Sequence, residues 1–310
     1  MIFGRITQQP GPYQFSVRKT SSNLRISEPV TNVRVELTDL DRGISETAVV
    51  TAPGEYEVPG ELVQGRPGGT YQLQVELRGE GKTFLSEPQT MPEFVATDSA
   101  YFSFKRRTLF TDGGADFKKW FIDVLVDSGF PQTEAPFYLR WDVDEVFSFI
   151  NVIPGPFPTY IDCYIQTWPE QRGFVLLNGE DFEGGQLTGQ LLASKLIDHT
   201  FEERHYFNIN QYSLNREAFE YWQQVSQMVN QTGSIFDIPP APIRGNLHNP
   251  DNPDELVLGF FEACQLNTSR FFIVKSMLPL FPADPCIVQP AICDNCKSVE
   301  NNLPERPEWF

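Results

Sequence analysis

The chain has 310 residues, more than one average domain and compatible with two; with 40% hydrophobic and 21% charged residues it can bury a sizeable core and is not a disordered chain. Lys plus Arg number 24 against 41 for Asp plus Glu, and the resulting formal charge of −17 repels phosphate backbones and anionic bilayers, which argues against nucleic acid as a partner. No apolar run approaches the ~18 residues of a membrane helix, and 26 Phe with 25 Pro and 22 Gly lean toward β structure with frequent turns.

The N-terminus, Met1-Ile2-Phe3-Gly4-Arg5, has neither a basic n-region nor an h-region, so no signal peptide is visible. Either the protein is cytosolic or the given chain starts inside a mature protein; Ile2 to Thr7 reads as the middle of a strand, and the expectation is that a leader has been left off upstream. Residues 33–38 alternate apolar and polar as a half-buried strand does. Asp39-Leu40-Asp41-Arg42-Gly43 is a turn signal, 54–56 a short return, and 68–77 an alternating strand. Gly79-Glu80-Gly81-Lys82 marks a hairpin turn, and 83–86 leads out. Short strands at this spacing, with no helical period, predict an immunoglobulin-like β-sandwich over 1–92, ending at the Pro88 to Pro92 stretch.

A larger β-rich domain is predicted over 93–282. Strands are expected at 100–105, 120–127 and 138–149, the last with Tyr138, Arg140, Asp142 and Asp144 alternating with Leu139, Trp141 and Val143. A Pro/Gly loop over 151–158 precedes strands at 162–167 and 204–212. One amphipathic helix is predicted at about 213–232: Ser213 is a plausible N-cap, and Ala218, Trp222, Val225 and Val229 share one face, widened by Tyr221 and Met228. That face is expected to pack against a sheet, with Gly233 ending the helix. Residues 235–240 read as extended before paired prolines, and 256–262 and 270–275 as closing strands. A Cys/Pro-rich tail occupies 283–310. The fold class is therefore mainly β with one helix.

Chemistry-bearing motifs are sparse. Neither G-x-S-x-G nor H-E-x-x-H occurs, and there is no P-loop and no G-x-G-x-x-G after a strand. His199 and His205 lie in a charged stretch that reads as solvated. Asp142, Asp144 and Glu145 cluster, as do Glu180, Asp181 and Glu183, but a glycosidase needs two carboxyls facing across a cleft, and clusters of this kind are usually solvated loops. Asp39-x-Asp41 could ligate calcium and is more often simply a turn. No catalytic residue, metal ligand or cofactor site is assigned.

Five cysteines are present, three of them in the tail. Cys293-x-x-Cys296 lacks the further ligands that zinc requires and carries Asp294 where a redox thiolate would be disfavoured. A structural disulfide from Cys286 to Cys293 or to Cys296 is expected, which implies an oxidising compartment, with Cys163 and Cys264 as small buried hydrophobes. Five is odd, so at least one thiol is unpaired or pairs outside the chain.

Gly4-Arg5-Ile6-Thr7 with Gly11-Pro12-Tyr13, residues 30–37 followed by the 39–43 turn, Tyr71-x-Leu73 with Ser86-Glu87-Pro88, and Tyr138-x-Arg140-Trp141 form an ordered series. It continues with Gly233-Ser234-Ile235-Phe236-Asp237 through Pro240, Gly245-Asn246-Leu247-His248-Asn249, Val257-Leu258-Gly259-Phe260-Phe261 and the Cys293-x-x-Cys296 tail ending in Trp309-Phe310. Each motif is short, but their order over nearly the whole chain resembles the Bacteroidota proteins grouped as domain of unknown function 4249 (DUF4249). The resemblance implies an outer-membrane lipoprotein, anchored by an acylated Cys upstream of the given chain and facing the cell surface or the periplasm. It also implies a SusC-type TonB-dependent transporter as partner, no established enzymatic activity, and an unknown small substrate. The expectation is a docking protein that assists substrate capture or gating, with Phe157, Tyr160 and Trp168 as candidate contact residues. A glycan-binding module or glycoside hydrolase and a structural subunit of an envelope complex are the alternatives.

Overall fold

The computed structural model describes residues 1–20, 27–110, 116–129, 136–153, 156–169, 174–181, 185–231, 242–283, 285–288 and 295–310. Ten strands come first: β1 (Ile2–Ile6), β2 (Tyr13–Thr20), β3 (Ser27–Pro29), β4 (Val33–Asp39), β5 (Ile44–Thr47), β6 (Val49–Ala52), β7 (Glu55–Val58), β8 (Thr70–Leu77), β9 (Lys82–Ser86) and β10 (Gln89–Thr90). Seven follow: β11 (Ser99–Phe110), β12 (Asp116–Gly129), β13 (Tyr138–Ile153), β14 (Thr159–Thr167), β15 (Val175–Asn178), β16 (Gln186–Leu196) and β17 (Arg204–Leu214). Then come helix α1 (Arg216–Gln231), β18 (Leu247–His248), β19 (Phe261–Ala263), β20 (Gln265–Val274), the short helix α2 (Pro285–Val288) and β21 (Asn302–Leu303). The fold is mainly β, as the alternation and turn chemistry predict.

Two six-stranded sheets form the N-terminal sandwich. One runs β19-β1-β2-β7-β6 with β3 on β2; the other runs β18-β9-β8-β4-β5 with β10 on β8. Period-2 alternation sends Phe15, Leu37, Tyr71, Leu73 and Val75 into one core between the sheets. The sandwich takes strands from both sides of the Pro88 to Pro92 stretch. β18 and β19 leave the 93–282 segment to complete it, and Leu247, Phe261 and Ala263 enter its core. The physical reason is that β1 and β9 would otherwise expose unpaired backbone edges. β1 pairs with β19 in parallel, so Arg5 lies beside Glu262.

The Gly245 to Asn249 motif makes this docking possible. The Asn246 amide brackets the backbone of Phe261, accepting from its N–H at 2.9 Å and donating to its carbonyl at 2.8 Å. The expected closing strand over 256–262 is therefore shorter, confined to β19. Gly259 adopts φ +108°, and a Cβ there would lie 1.8 Å from the Ile2 carbonyl oxygen, so extended geometry is interrupted where the chain crosses the start of β1.

The second body pairs a three-stranded sheet (β11-β12-β16) with a six-stranded one (β20-β17-β13-β14-β21, with β15 on β13). Ile122, Val124 and Val126 of the first meet Leu139, Trp141, Phe207, Ile209 and Ile273 of the second in a shared core. Helix α1 is capped two residues later than expected. Ser213 is still in β17, and Asn215 caps instead, its side chain accepting from the Ala218 N–H at 2.9 Å. The predicted face does pack on the sheets: Ala218 and Tyr221 are buried and Trp222 and Val225 half-buried against Tyr138, Tyr212, Leu214 and Phe260, while Val229 is exposed. Gly233 and residues 235–240 lie outside the described residues.

Candidate functional site

β13 is sixteen residues long, but its neighbour β17 pairs only with residues 138–147. β14 pairs with 145–153, so the far ends of β13 and β14 continue past the sheet as a two-stranded arm. The arm is apolar where it projects. Ile150, Val152 and Ile153 are exposed, Tyr160 is 67% exposed opposite Val152, and Phe157 at the tip is 91% exposed. Two of the three candidate contact residues are thus brought together. Trp168 is not: it follows the other end of β14, eight residues from Tyr160, about 26 Å at strand rise.

The base of the arm is clamped. Cys163 on β14, opposite Phe149 in register, is bonded to Cys296 of the tail across 133 residues. The pair sits among Phe147, Phe149 and Ile165. This corrects two expectations: Cys163 is not a free buried thiol, and Cys296 does not bridge to Cys286. Local tail spacing favoured a short loop, whereas the pleat of β14 points Cys163 at the returning tail. Cys293 lies outside the described residues, as does the side chain of Cys286. The tail continues into β21, which pairs with β14, and Phe310 packs on Tyr206 and Tyr164 with ring centroids 4.5 Å and 4.9 Å away.

A second constellation lies at the junction of the two bodies. Glu262 on β19 is buried and accepts four hydrogen bonds from three side chains. Arg5 of β1 donates through Nε to Oε1; Arg140 of β13 approaches with Nη2–Oε1 3.2 Å and Nη1–Oε2 3.4 Å; and the Trp222 indole N–H of α1 donates to Oε2 at 2.8 Å. The guanidinium of Arg140 lies 4.0 Å from the Trp222 ring centre and 4.4 Å from that of Tyr212, whose ring Arg5 also faces at 4.3 Å. Burial by itself would push the Glu262 carboxyl up, but the two guanidiniums and the indole N–H outweigh it and hold it at about 2. Burial pushes the Tyr212 hydroxyl up to about 12, and burial together with the Glu262 charge does the same to the thiol of Cys264, which is buried and free.

Above this cluster, between the outer face of the first sandwich sheet and α1, lies a cavity of about 560 Å³ lined by Phe3, Arg5, Ser16, Trp222, Phe260 and Leu266. Sequence reasoning placed Arg140 on a polar strand face and missed this junction. Its prior signals were the Gly4-Arg5-Ile6-Thr7 and Tyr138-x-Arg140-Trp141 motifs and Trp222 on the helix face, none of which points to the others, since β13 is central and covered on both faces at this point.

The acidic clusters resolve into separate roles. Asp144 accepts from the Asn208 and Asn210 amides at 2.7 Å and 2.9 Å. Glu145 points to the opposite face, fully buried, with Oε2 3.4 Å from Lys195 Nζ and 3.5 Å from His205 Nε2. His205 is therefore not solvated as expected; it is buried and stacked 4.1 Å from Phe201, because β17 is an inner strand. His199 is half-buried and, with Lys195, Asp198 and Phe147, borders a cavity of about 480 Å³. Lys195 reaches on to Asp198 at 3.8 Å, and Asp198 caps the next turn by accepting from the Thr200 N–H at 2.9 Å. Glu180 accepts from the Tyr138 hydroxyl at 3.0 Å and pairs with Arg216 at 2.9 Å, and Glu183 lies outside the described residues. Asp39 accepts from the backbone of Asp41 and Arg42, and Arg66 bridges both aspartates, so this is a turn whose anionic side is already occupied by a cation. No group of three or more His, Cys, Asp or Glu suited to a metal ion occurs among the described residues. No helix among them is long and apolar enough to cross a membrane.

A family model described as domain of unknown function (DUF4249) matches residues 1–270. No curated protein matches the chain. Among solved structures, the B domain of a biofilm associated protein aligns over 89% of this chain and 85% of its own, with 8% identity and a TM-score of 0.18, a likeness that carries no argument.

Proposed function

The chain belongs to the DUF4249 family, and from that premise we propose that it is a non-enzymatic accessory lipoprotein of the outer membrane that docks on a SusC-type TonB-dependent transporter and assists substrate capture or gating. The observation that carries the docking half of this reading is the arm. Apolar side chains are presented at the end of a two-stranded projection whose base is tied by a disulfide and the packed tail. On a chain of charge −17, such a patch stays soluble alone but gains when a partner covers it. Covering Phe157 or Tyr160 contributes roughly 2 to 3 kcal/mol each, enough to make them the dominant residues of a modest interface. Oxidative pairing of Cys163 with Cys296 fits an extracytoplasmic site. The lipid anchor and the transporter's identity rest on the family resemblance.

The non-enzymatic half is supported by how the carboxylates are used. Glu145 and Asp198 both engage Lys195, Asp144 is bonded by two amides, and Glu262 is saturated by two arginines and an indole. The test is affinity capture of the full-length, lipidated protein from native outer membranes, comparing wild type with the double variant Phe157→Ala, Tyr160→Ala. Recovery of a β-barrel transporter by wild type and its loss from the variant are expected. Wild type recovering no β-barrel protein, or the variant recovering it equally well, overturns the reading.

A further inference from the structure

We infer that the junction cavity is a binding site for a small monoanionic ligand with an apolar, aromatic-sized body, its carboxylate or sulfonate group held by Arg5. This goes beyond docking and does not depend on what the arm contacts.

The argument starts from charge. Two guanidiniums, Arg5 and Arg140, converge on the carboxylate of Glu262, with Asp142 as the second acid facing both. The two arginines are not equivalent. Arg140 is enclosed, stacked on Trp222 and Tyr212, and both of its terminal nitrogens are engaged with Glu262. Arg5 engages Glu262 through Nε only, and its terminal nitrogens make no hydrogen bond among the described residues. Its side chain is 34% exposed and lines the cavity. A guanidinium edge with both terminal nitrogens available is the geometry that takes a planar anion through two parallel hydrogen bonds.

The walls define the rest of the ligand. Phe3, Phe260, Trp222 and Leu266 supply apolar and aromatic surface beside the polar Gln14 and Ser16 of β2, and about 560 Å³ is the size of a small-molecule pocket. The backbone fixes this shape. Phe3 and Arg5 alternate with the inward Ile2 and Ile6 of β1, and a Cβ at Gly4 would lie 2.0 Å from the Phe15 ring, so β1 and β2 hold their register against each other. One cationic anchor selects one negative charge; a polyphosphate would meet Glu262 and Glu55 as well as Arg5.

The probes are 1-anilinonaphthalene-8-sulfonate and its uncharged counterpart N-phenyl-1-naphthylamine, titrated by fluorescence into wild type, Arg5→Gln, Arg5→Lys and Ser16→Trp. Ser16 lines the cavity without contacting the Arg5–Glu262 pair, so its enlargement fills the space and leaves the charge cluster in place. Saturable binding of the sulfonate to wild type is expected. It should weaken about 10- to 100-fold in Arg5→Gln, as for loss of a hydrogen bond to a charged group, and by a smaller factor in Arg5→Lys, which keeps the charge but not the two parallel hydrogen bonds. The uncharged dye should bind Arg5→Gln within about twofold of wild type, and Ser16→Trp should weaken both dyes about tenfold or more. Thermal unfolding of each variant reports its folded state; where Arg5→Gln does not fold, Ser16→Trp decides. The inference is overturned by an absence of saturable sulfonate binding to wild type, by equal binding to Arg5→Gln, or by undiminished binding to Ser16→Trp.

Discussion

Replacing Glu262 by Gln removes the one negative charge that two arginines and an indole share. The cost can be worked in two ways. The carboxyl is held at about 2 against an ordinary value of 4.5, and that difference corresponds to about 3 kcal/mol of stabilisation of the charged form in the folded chain. Independently, removing one partner of a buried ion pair and leaving the other uncompensated costs about 3 to 5 kcal/mol, and Arg140 is the group stranded here. Because the folded-state value is depressed, this stability is fully present above about pH 4.5 and is lost as pH falls toward about 2. Urea unfolding followed by tryptophan fluorescence, at pH 7 and at intervals down to pH 2.5, should show Glu262→Gln destabilised by about 3 kcal/mol at pH 7, with the gap to wild type closing as the acid limb is descended. Glu220→Gln, at an exposed position on α1, serves as the reference and should lie within about 0.5 kcal/mol of wild type. A Glu262→Gln variant as stable as the reference at pH 7, or a gap that does not narrow in acid, would refute the account of the junction.

Two further outcomes are expected. Cys296→Ser opens a loop closed across 133 residues, for which chain entropy gives up to about 5 kcal/mol; a lower thermal midpoint and faster proteolysis of the 297–310 tail should follow, and non-reducing peptide maps of wild type should contain the Cys163–Cys296 peptide. Cys264, whose thiol is pushed up to about 12 by burial and by Glu262, should resist iodoacetamide at pH 8 in the native protein and react once urea is added; rapid native labelling would contradict its placement.

What the sequence made legible was local. The alternation over 33–38 and 68–77 marks β4 and β8, the Gly81 turn marks the β8–β9 hairpin, and the spacing of Ala218, Trp222 and Val225 marks the inner face of α1. The projecting arm was half legible: Phe157 and Tyr160 stood out as aromatics in a Pro/Gly loop, but that β13 runs on to Ile153, past its neighbour, depends on where β17 stops. Partners distant in sequence were illegible. Nothing in the period of Ile2 to Ile6 names residues 261–263 as its parallel neighbour. Arg140, Glu145 and His205 read as polar and therefore exposed, yet all three are buried, because inner strands cover both faces, and Arg140 and Glu145 each meet a counter-charge from another strand. Ser213 and Asn215 are both good caps by type; the choice fell to Asn215 because β17 keeps Ser213 in its ladder with Gln265. Cysteine spacing cannot give connectivity, and here the bond crosses from tail to sheet.

The docking role is tested most directly by placing a photo-crosslinking p-benzoylphenylalanine at Phe157 in the full-length protein and irradiating intact envelopes, with the same group at Leu62, which is exposed on the sandwich, for comparison. The account predicts a crosslink from position 157 to a β-barrel outer-membrane protein and none from position 62. Position 157 yielding no β-barrel adduct, or both positions yielding it equally, would contradict the claim that the arm is the face this protein presents to its partner.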